Sequence, residues 1–458
     1  MSLTLVAALL LFLAGELTAQ RNVEYRQLLA QKKQDPVSVS LIKLPGESDS
    51  TVTMAATIGL PYSFLPFKKA TGQNAKGEFY STTELSMEVF KSDRSKIGKD
   101  DISVKGLEPV ARSFWSDTAY AGNYEQSQSR SRFLTGYLEA SVKPGIYSYI
   151  LQMRRGQETN NRISRARTVR MESYGDMNVG NVILGSELSD DWLTLSPLAG
   201  NVKYAENFYA LAYIPAYDSG ANYTLEITNL NVVDEDTSRV STVYTKELGN
   251  SEIRTGLRPA LSTAPGEQTH LELDSSGDGY AYALLEVPNR QFPNALYRFR
   301  IMKEGSSKPV SQTTYRSIWI DIPASLLSLD VAIDMLRYIA DEKTIDRLST
   351  GTQREREQKF RAFWEKRDPT PDTEFNELMA EYYRRVDYAY DNFTTNNNLG
   401  FNSDQGEVYI KFGPPQDIER KFPTNGATTE IWTYPSRTFV FKATTGFGDF
   451  RLVSREKK

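Results

Sequence analysis

Alternating apolar and polar side chains dominate the chain between about residues 37 and 322. Residues 223–228 alternate strictly, as expected of a half-buried strand, and residues 297–301 repeat the pattern. The further predicted strands are residues 37–42, 52–58, 85–90, 133–142, 146–153, 208–214, 271–273, 280–287 and 315–320. Many short strands separated by turn residues favour β-sandwiches over a parallel α/β sheet.

The length of this β region fits two sandwich-like domains, because one such domain commonly takes about 100 to 150 residues. A short internal similarity favours a duplication. Residues 144–149 resemble residues 293–299, and Gly156 and Gly305 close the two hairpins. The predicted β-sandwich-like domains are residues 20–175 and 176–322.

The hydrophobic period changes after Pro323. Apolar residues between 332 and 339 recur at three- and four-residue spacing, which is the pattern of an amphipathic helix. A second set of apolar residues at helical spacing ends before Pro369 and predicts a second helix. A third predicted helix carries apolar residues from Phe375 to Phe393 on one face, with Asp372 or Thr373 as its N-cap. On its opposite face, Glu381 and Arg385 are spaced to form an ion pair.

Strand patterns return near the C-terminus and are joined by turn residues. The predicted strands are residues 407–412, 430–434, 438–441 and 449–453. A small antiparallel meander with helices on one face is an α+β arrangement. The predicted fold is therefore multidomain: two predominantly β, sandwich-like domains, a helical connector over residues 323–358, and a small α+β domain over residues 359–458.

The composition excludes most familiar enzyme chemistry. The 458 residues include no cysteine and one histidine, His270. Disulfides, thiol nucleophiles and Cys-ligated metals are therefore ruled out. A net charge of −4 provides no basic field of the kind that nucleic acid requires. We predict no catalytic residue, no metal, no cofactor and no nucleic-acid partner.

The N-terminus carries a targeting signal. Residues 3–13 form an apolar run, followed by Gly15 and by Ala19 as a small residue for cleavage. At about 1.5 Å per residue the run suits a signal peptide and is too short to span a membrane. No Lys or Arg precedes it, so a buried helix is the alternative. We expect a signal peptide over residues 1–19 and export to the periplasm, cell surface or outer membrane, with no transmembrane segment afterwards.

Several motifs follow one another in the last domain. They read FWEKRDPTP at residues 363–371, GFNSDQG at 400–406, VYIKFGPP at 408–415, EIWTY at 430–434 and FRLV at 450–453. Their order and spacing resemble the GWxTD domain family of bacterial envelope proteins. Gly400 and Asp404 match the signature, whereas Phe401 stands at the Trp position and Ser403 at the Thr position. The resemblance implies an envelope location and a fold, without an established activity.

The signature admits two hypotheses. The candidate binding residues are Trp364, Arg367, Asp368, Gly400, Phe401, Ser403, Asp404 and Gly406. On the structural hypothesis, Asp404 accepts the backbone N–H of Gly406, both glycines adopt positive φ, and Phe401 packs back onto the helix. On the functional hypothesis, Ser403 and Asp404 belong to a ligand site, although no histidine in this domain could serve as a base.

Other polar motifs are interpreted as surface features. Residues 274–279 partly resemble a calcium loop, but the twelfth position holds Leu285 instead of Glu and the flanks read as strands. A hairpin turn is therefore favoured. The acidic residues 234–236 are interpreted as an exposed turn, and His270 as a surface residue of a strand. Arg367 suits the last turn of a helix, with partner binding as its alternative.

These observations favour an exported, non-enzymatic envelope protein that acts as a structural or protein-interaction module. Its expected partner is another envelope protein, and its oligomeric state is left open. One alternative is a glycan- or calcium-binding surface protein that uses its 26 Tyr and 5 Trp as stacking platforms. Another is a hydrolase with paired carboxylates.

Overall fold

The structure is a computed structural model that describes residues 25, 27–28, 37–71, 76–97, 102–156, 158, 162–230, 241–263, 266–275, 277–396, 398–424, 426–444 and 449–457. The predicted signal peptide and the acidic residues 234–236 lie outside the described residues. The chain forms two compact units, a β unit within residues 35–321 and a C-terminal unit that combines the residues from 322 onward with Tyr25 and Leu28 near the N-terminus. No helix of the described segments is long and apolar enough to cross a membrane.

The described residues of the first half of the β unit form two antiparallel sheets and one short α-helix, α1 (Tyr124–Ser127). Its strands are β1 (Ser38–Pro45), β2 (Val52–Pro61), β3 (Lys68–Lys69), β4 (Phe79–Lys91), β5 (Ala111–Ala121), β6 (Phe133–Val142), β7 (Gly145–Arg155), β8 (Arg162–Ile163) and β9 (Arg167–Met171). One sheet has the order β1-β2-β6. In the other, β4 lies between β5 and β7, and β7 pairs with β8 and β9.

The second half also contains two sheets. Its strands are β10 (Val182–Leu188), β11 (Trp192–Leu195), β12 (Val202–Lys203), β13 (Phe208–Tyr213), β14 (Tyr223–Asn229), β15 (Ser241–Leu248), β16 (Ile253–Leu257), β17 (Ala260–Ser262), β18 (His270–Glu272), β19 (Tyr280–Val287), β20 (Leu296–Lys303) and β21 (Pro309–Ile318). The seven-stranded sheet has the order β16-β19-β13-β10-β11-β18-β17, and the five-stranded sheet has the order β12-β21-β20-β14-β15.

The seven-stranded sheet separates two hydrophobic cores. Ile183 and Leu211 belong to the core shared with the first half of the unit, whereas Leu184 and Ala212 belong to the core shared with the five-stranded sheet. Successive residues of a strand point to opposite faces, so β10, β13 and β19 supply both cores. Such strands read as continuous apolar runs because neither face meets solvent.

The two internally similar segments share one hydrogen bond. The Tyr147 hydroxyl donates to the Lys143 carbonyl at 2.9 Å, and the Tyr297 hydroxyl donates to the Pro293 carbonyl at 2.5 Å. Each tyrosine thus binds the backbone four residues upstream, as in the tyrosine corner of sandwich domains. The common contact supports the similarity that the sequence indicates.

The C-terminal unit combines helices with one four-stranded sheet. Its helices are α2 (Leu329–Met335), α3 (Glu342–Ser349), α4 (Gln353–Glu365), α5 (Glu377–Phe393) and α6 (Asp404–Phe412). Its strands are β22 (Asp417–Lys421), β23 (Thr429–Tyr434), β24 (Arg437–Ala443) and β25 (Phe450–Lys457), antiparallel and in sequence order. Tyr25 and Leu28 are buried in the core of this unit.

The predicted fold class is confirmed: two largely β parts precede a helical segment and a small α+β part. The domain boundaries proposed from the sequence stay predictions, although the structure places Tyr25 and Leu28 with the C-terminal unit. The predicted ion pair is present, because Arg385 lies 2.7 Å from Glu381 on α5.

Two predictions about the secondary structure of this unit are wrong. The predicted strand at residues 407–412 is the helix α6, in which Lys411 pairs with Glu407 at 2.7 Å. Its six residues satisfy both a strand and a helix pattern, and the helical ion pair and the Ser403 cap favour the helix. Helix α5 begins after Asn376, whose side chain accepts the Met379 N–H at 2.8 Å, and not after Asp372 or Thr373.

Candidate functional site

The two signature glycines are required by close backbone contacts. A Cβ atom on Gly400 would lie 1.8 Å from the Ala389 carbonyl oxygen of α5, and one on Gly406 would lie 1.9 Å from the Gly400 carbonyl oxygen. Neither glycine has a positive φ, so that prediction is wrong. A short 3₁₀ turn, Gly400–Asn402, therefore lies directly against α5 and the start of α6.

Phe401 is buried in the core of the C-terminal unit and is 5% exposed. Its ring centroid lies 5.3 Å from that of Tyr25 and 5.9 Å from that of Tyr390. The Tyr338 hydroxyl donates a hydrogen bond to its carbonyl oxygen. The ring thus packs back onto helix α5, as the structural hypothesis expects, and no indole is needed there.

Ser403 and Asp404 connect the signature to its neighbours. The Ser403 hydroxyl donates to the Gly400 carbonyl at 2.7 Å and accepts the Gly406 N–H at 3.0 Å, which makes Ser403 the N-cap of α6. Asp404 does not form the predicted turn, because its Oδ2 accepts the Leu452 N–H of β25 at 2.7 Å. A serine side chain in the N-cap position accepts the N–H of the residue three positions later, which here is Gly406, and it therefore takes the place of Asp404 as the acceptor.

The other predicted site residues lie at the end of α4. Trp364 is 2% exposed and packs between Tyr382 and Tyr383, with ring centroids 5.6 and 5.7 Å away. The Arg367 guanidinium lies 3.8 Å from the ring centroid of Phe363 and donates to the carbonyl of that residue at 2.7 Å. Trp364 and Phe401 thus share one core, whereas Arg367 makes its contacts within its own turn.

Asp368 makes a local contact as well. Its Oδ1 accepts the Thr370 N–H at 2.9 Å, just beyond the end of α4. This turn precedes Pro371 and leads toward α5. The structure therefore does not bring Arg367 and Asp368 into a common polar site with the signature.

A buried carboxylate that the sequence reasoning missed joins three segments of the unit. Asp387 of α5 accepts the Tyr25 hydroxyl at 2.6 Å, the Ala324 N–H at 2.6 Å and the Ser325 hydroxyl at 3.0 Å. Burial, with the Asp387 carboxylate as a smaller cause, raises the pKa of Tyr25 far above its usual range. The signal was present in the sequence, since Asp387 interrupts the apolar face of α5 four residues after Tyr383.

A second buried carboxylate supports the sheet. Glu430 of β23 is 2% exposed and accepts the Gln405 side-chain N–H at 2.7 Å and the Trp432 indole N–H at 3.1 Å. The Arg420 guanidinium of β22 is its charged partner. A buried charge is stable only when it is paired and hydrogen-bonded, and Glu430 meets both conditions.

A cleft of about 690 Å³ borders the signature. Its polar lining includes Ser403, Asp404, Asp449 and Arg451. The Ser403 hydroxyl already donates and accepts, and Lys411, a potential base, is paired with Glu407. The described residues contain no group of three or more His, Asp or Glu side chains arranged to hold a metal ion. The Ser403 hydroxyl therefore makes structural contacts, and Ser403 and Lys411 are not arranged as a nucleophile and its base.

The sheet of the C-terminal unit has two unlike faces. Trp432, Tyr434 and Phe441 are buried on the face that packs on α6. On the opposite face, which we call the outer face, Ile431 and Val440 are half-buried at the centre. The exposed charged residues of the outer face are Asp417, Glu419, Lys421, Lys442, Arg451 and Glu456.

The β unit contains its own polar cleft, of about 880 Å³. Trp192, 46% exposed, lies at its edge, and Glu272 is the cross-strand neighbour of Trp192. Asp274 and Ser275 of the calcium-like segment also line it, and the His270 ring lies 5.9 Å from that of Trp192. His270 is thus a partly exposed strand residue at a cleft.

The chain is rich in β-structure and ends in an α+β unit. In that unit the signature segment lies against helix α5, caps helix α6 and accepts a hydrogen bond from strand β25. Residues 323–453 match the model of the GWxTD domain, which confirms the resemblance that the motifs of the C-terminal part indicate. A comparison with curated proteins finds no match.

Among solved structures, the chain is similar to the C-terminal domain of the antigen I/II-family protein AspA of Streptococcus pyogenes. The identity is 12%, and the match covers 61% of this chain and 99% of that chain. The TM-score is 0.15, and at this value the likeness carries no argument about the fold or the role of this chain.

Proposed function

We propose that the protein is an exported, non-enzymatic envelope protein whose GWxTD domain serves as a protein-interaction module. The observation that carries the proposal is the contrast between the signature and the outer face. The hydroxyl of Ser403 and a carboxylate oxygen of Asp404 are engaged in internal hydrogen bonds. The charged side chains of the outer face project into solvent, where a partner can reach them.

The outer face has the composition of a recognition surface. Two aliphatic residues, Ile431 and Val440, are cross-strand neighbours at its centre, and charged residues surround them. Apolar centres with polar rims are typical of protein interfaces. A single strand edge is a less suitable site, because β25 carries a bulge beside Val440 and a row of charged residues, both of which oppose edge pairing.

Site-specific photo-cross-linking in the native envelope tests the proposal. A photoreactive residue replaces Val440 on the outer face in one variant, and the exposed Ile163 of the β unit in a matched control. We expect protein adducts from position 440 and none from position 163. Equal adducts from both positions, or none from either, would contradict an interaction role for the outer face.

Export is tested by cell fractionation and N-terminal sequencing of the tagged full chain. The apolar run at residues 3–13 and the small residue Ala19 support cleavage and passage across the inner membrane. We expect the envelope fraction to contain a chain that begins near residue 20. An uncleaved chain in the cytoplasm would refute the export proposal and leave the interaction role to be judged by cross-linking alone.

Glycan binding is a second candidate, favoured by the half-exposed Trp192 beside Glu272 in the cleft of the β unit. An exposed indole offers a stacking surface, and a neighbouring carboxylate can accept hydroxyl hydrogen bonds. Binding of envelope polysaccharide by wild type and by Trp192→Ala decides this candidate. Equal binding, or none by the wild type, would rule out the Trp192 cleft as a glycan site.

A further inference from the structure

Apart from Glu419, the charges of the outer face lie in two rows of cross-strand neighbours, and each row crosses all four strands. The acidic row consists of Asp417, Thr433, Thr438 and Glu456, which are successive cross-strand neighbours. The basic row consists of Lys421, Thr429, Lys442 and Arg451. The rows lie four residues apart on β22 and β24, which is about 13 Å at strand geometry. The outer face therefore has an acidic end and a basic end.

A central row separates these two ends. Its members are Glu419, Ile431, Val440 and Ser454. Glu419 lies 3.4 Å from Lys421, so its charge is already partly balanced within β22. The middle of the central row, Ile431 and Val440, is thus apolar, and the three acidic and three basic side chains of the outer face give it no net charge.

The basic row contains an arrangement that isolated sheets avoid. Lys442 and Arg451 are direct cross-strand neighbours, and like charges in such positions repel. Within the described residues, neither side chain lies within ion-pair distance of a carboxylate. An acidic partner above this row would remove the repulsion.

We propose that the outer face binds the outer face of a second copy of this chain. A two-fold axis that runs across the strands, along the central row, places the acidic row of each copy on the basic row of the other. Glu456 then lies opposite Arg451 of the second copy, and Asp417 opposite Lys421. Ile431 and Val440 each pack against the same residue of the second copy, as in a sheet-on-sheet sandwich. Glu419 also meets its own copy on the axis, and its ion pair with Lys421 offsets that one like-charge contact.

The alternative two-fold arrangement is unfavourable. An axis parallel to the strands would set the acidic row on an acidic row and the basic row on a basic row. Like-charge contacts across an interface oppose binding, so the charge pattern selects one of the two symmetric arrangements. This inference rests on the proposed interaction role and names its partner.

The size of the outer face limits the expected affinity of the dimer. Four strands about 4.8 Å apart and five residues of about 3.4 Å each give a face of roughly 20 by 17 Å. Two such faces have a combined area of roughly 700 Å², which is below the roughly 1,000 Å² of a stable specific interface and typical of a weak one. We therefore expect a weak dimer with a dissociation constant of about 1–100 µM that weakens with added salt.

Sedimentation equilibrium of the full chain tests the arrangement with two opposite charge reversals. Arg451→Glu and Glu456→Arg should each weaken dimerisation by about tenfold, because each creates a like-charge contact across the axis. An equimolar mixture of the two variants should associate as strongly as the wild type, since each contact across the axis of the mixed dimer then joins opposite charges. The double variant Arg451→Glu with Glu456→Arg should recover dimerisation for the same reason.

A matched control lies on the same strand. Arg455→Glu makes the same change in net charge, but residue 455 pairs with Phe439, whose side chain points to the helix-packed face. This variant should dimerise like the wild type. Far-ultraviolet circular dichroism and thermal unfolding confirm that all variants fold, so that a loss of dimer reports on the interface.

Three results would overturn the inference. They are a wild-type chain that stays monomeric at 200 µM in low salt, equal weakening by Arg455→Glu, and a mixture that fails to recover association. Photo-cross-linking from position 440 separates this failure from that of the proposed function. Adducts to a different protein, with a monomeric chain in solution, would refute the second copy and preserve the interaction role.

Discussion

The signature segment and the outer face belong to the same unit and have opposite properties. Residues 400–406 are packed so tightly that two positions admit no side chain, and the hydroxyl of Ser403 has both a donor and an acceptor role within the chain. On the outer face, charged side chains are exposed and Lys442 lies beside Arg451. The recognisable pattern thus maintains the fold, and the surface available to a partner lies on strands that the signature does not include.

The largest expected effect is the loss of a signature glycine. Gly400→Ala places a Cβ atom 1.8 Å from the Ala389 carbonyl oxygen, so the turn must move away from α5. We expect the free energy of unfolding of the C-terminal unit to fall by about 3 kcal/mol or more. Urea unfolding followed by tryptophan fluorescence measures the loss.

The matched control is Gly220→Ala, where the nearest atom would be an Asp218 carboxylate oxygen at 3.5 Å. Its effect should stay below about 1 kcal/mol. Similar losses in both variants would show that the close approach of the signature to α5 is not what requires glycine.

Removal of the buried carboxylate should have the next largest effect. Asp387→Ala leaves the Tyr25 hydroxyl and the backbone N–H of Ala324 without their acceptor. A loss of about 2–3 kcal/mol is expected, because buried donors that lack an acceptor keep their full desolvation cost. Hydrogen exchange should show faster exchange at residues 324–325. Unchanged exchange there would mean that Asp387 does not hold this segment.

Alkaline pH tests the same contact through Tyr25. Because burial raises its folded-state pKa far above 10, Tyr25 stays protonated in the folded chain and ionises near pH 10 only when unfolded. The contribution of Tyr25 to the free energy of unfolding is therefore complete well below pH 10. It declines above pH 10, with a slope that approaches about 1.4 kcal/mol per pH unit. Tyr25→Phe should reduce the stability loss between pH 10 and 11 by about 1 kcal/mol, because the unfolded tyrosine is only half ionised at pH 10; urea unfolding measures the difference. An identical loss in both chains would contradict the burial of Tyr25.

The helix cap should have a smaller effect. Ser403→Ala removes the acceptor for the Gly406 N–H and the donor to the Gly400 carbonyl, and should cost about 1 kcal/mol. Ser403→Thr restores the residue type of the family signature and should retain most of the stability. Thermal unfolding of both variants checks the order. A Thr variant as unstable as the Ala variant would refute the capping role.

The sequence predicts best where a short segment suffices to define the pattern. The strands β6 and β19 have the predicted bounds, since residues 133–142 and 280–287 are long and apolar on at least one face. Strand β22 was missed because all five of its residues, Asp417–Lys421, are exposed and show no apolar alternation. It forms because β23 provides a hydrogen-bonding edge, which a local pattern does not reveal.

The candidate site was predictable in its residues and less so in its contacts. The sequence correctly indicates that Phe401 packs on the helix and that the signature is a turn. It predicts that Asp404 accepts the Gly406 N–H, whereas Ser403 accepts it and Asp404 binds β25. The contacts of Tyr25 with Asp387 join residues 362 positions apart, so no local pattern could reveal them.

The smallest expected effect on stability comes from a substitution on the outer face. This substitution should raise the free energy of unfolding, whereas the substitutions above lower it. Lys442→Thr removes one of two like charges that face each other across β24 and β25, and it introduces a residue that favours strands. The free energy of unfolding should change by no more than about 0.5 kcal/mol, toward greater stability, while dimerisation weakens. Urea unfolding at low protein concentration and sedimentation at high concentration measure the two quantities separately. A variant that loses stability as Ser403→Ala does would show that the outer face, like the signature, serves the fold.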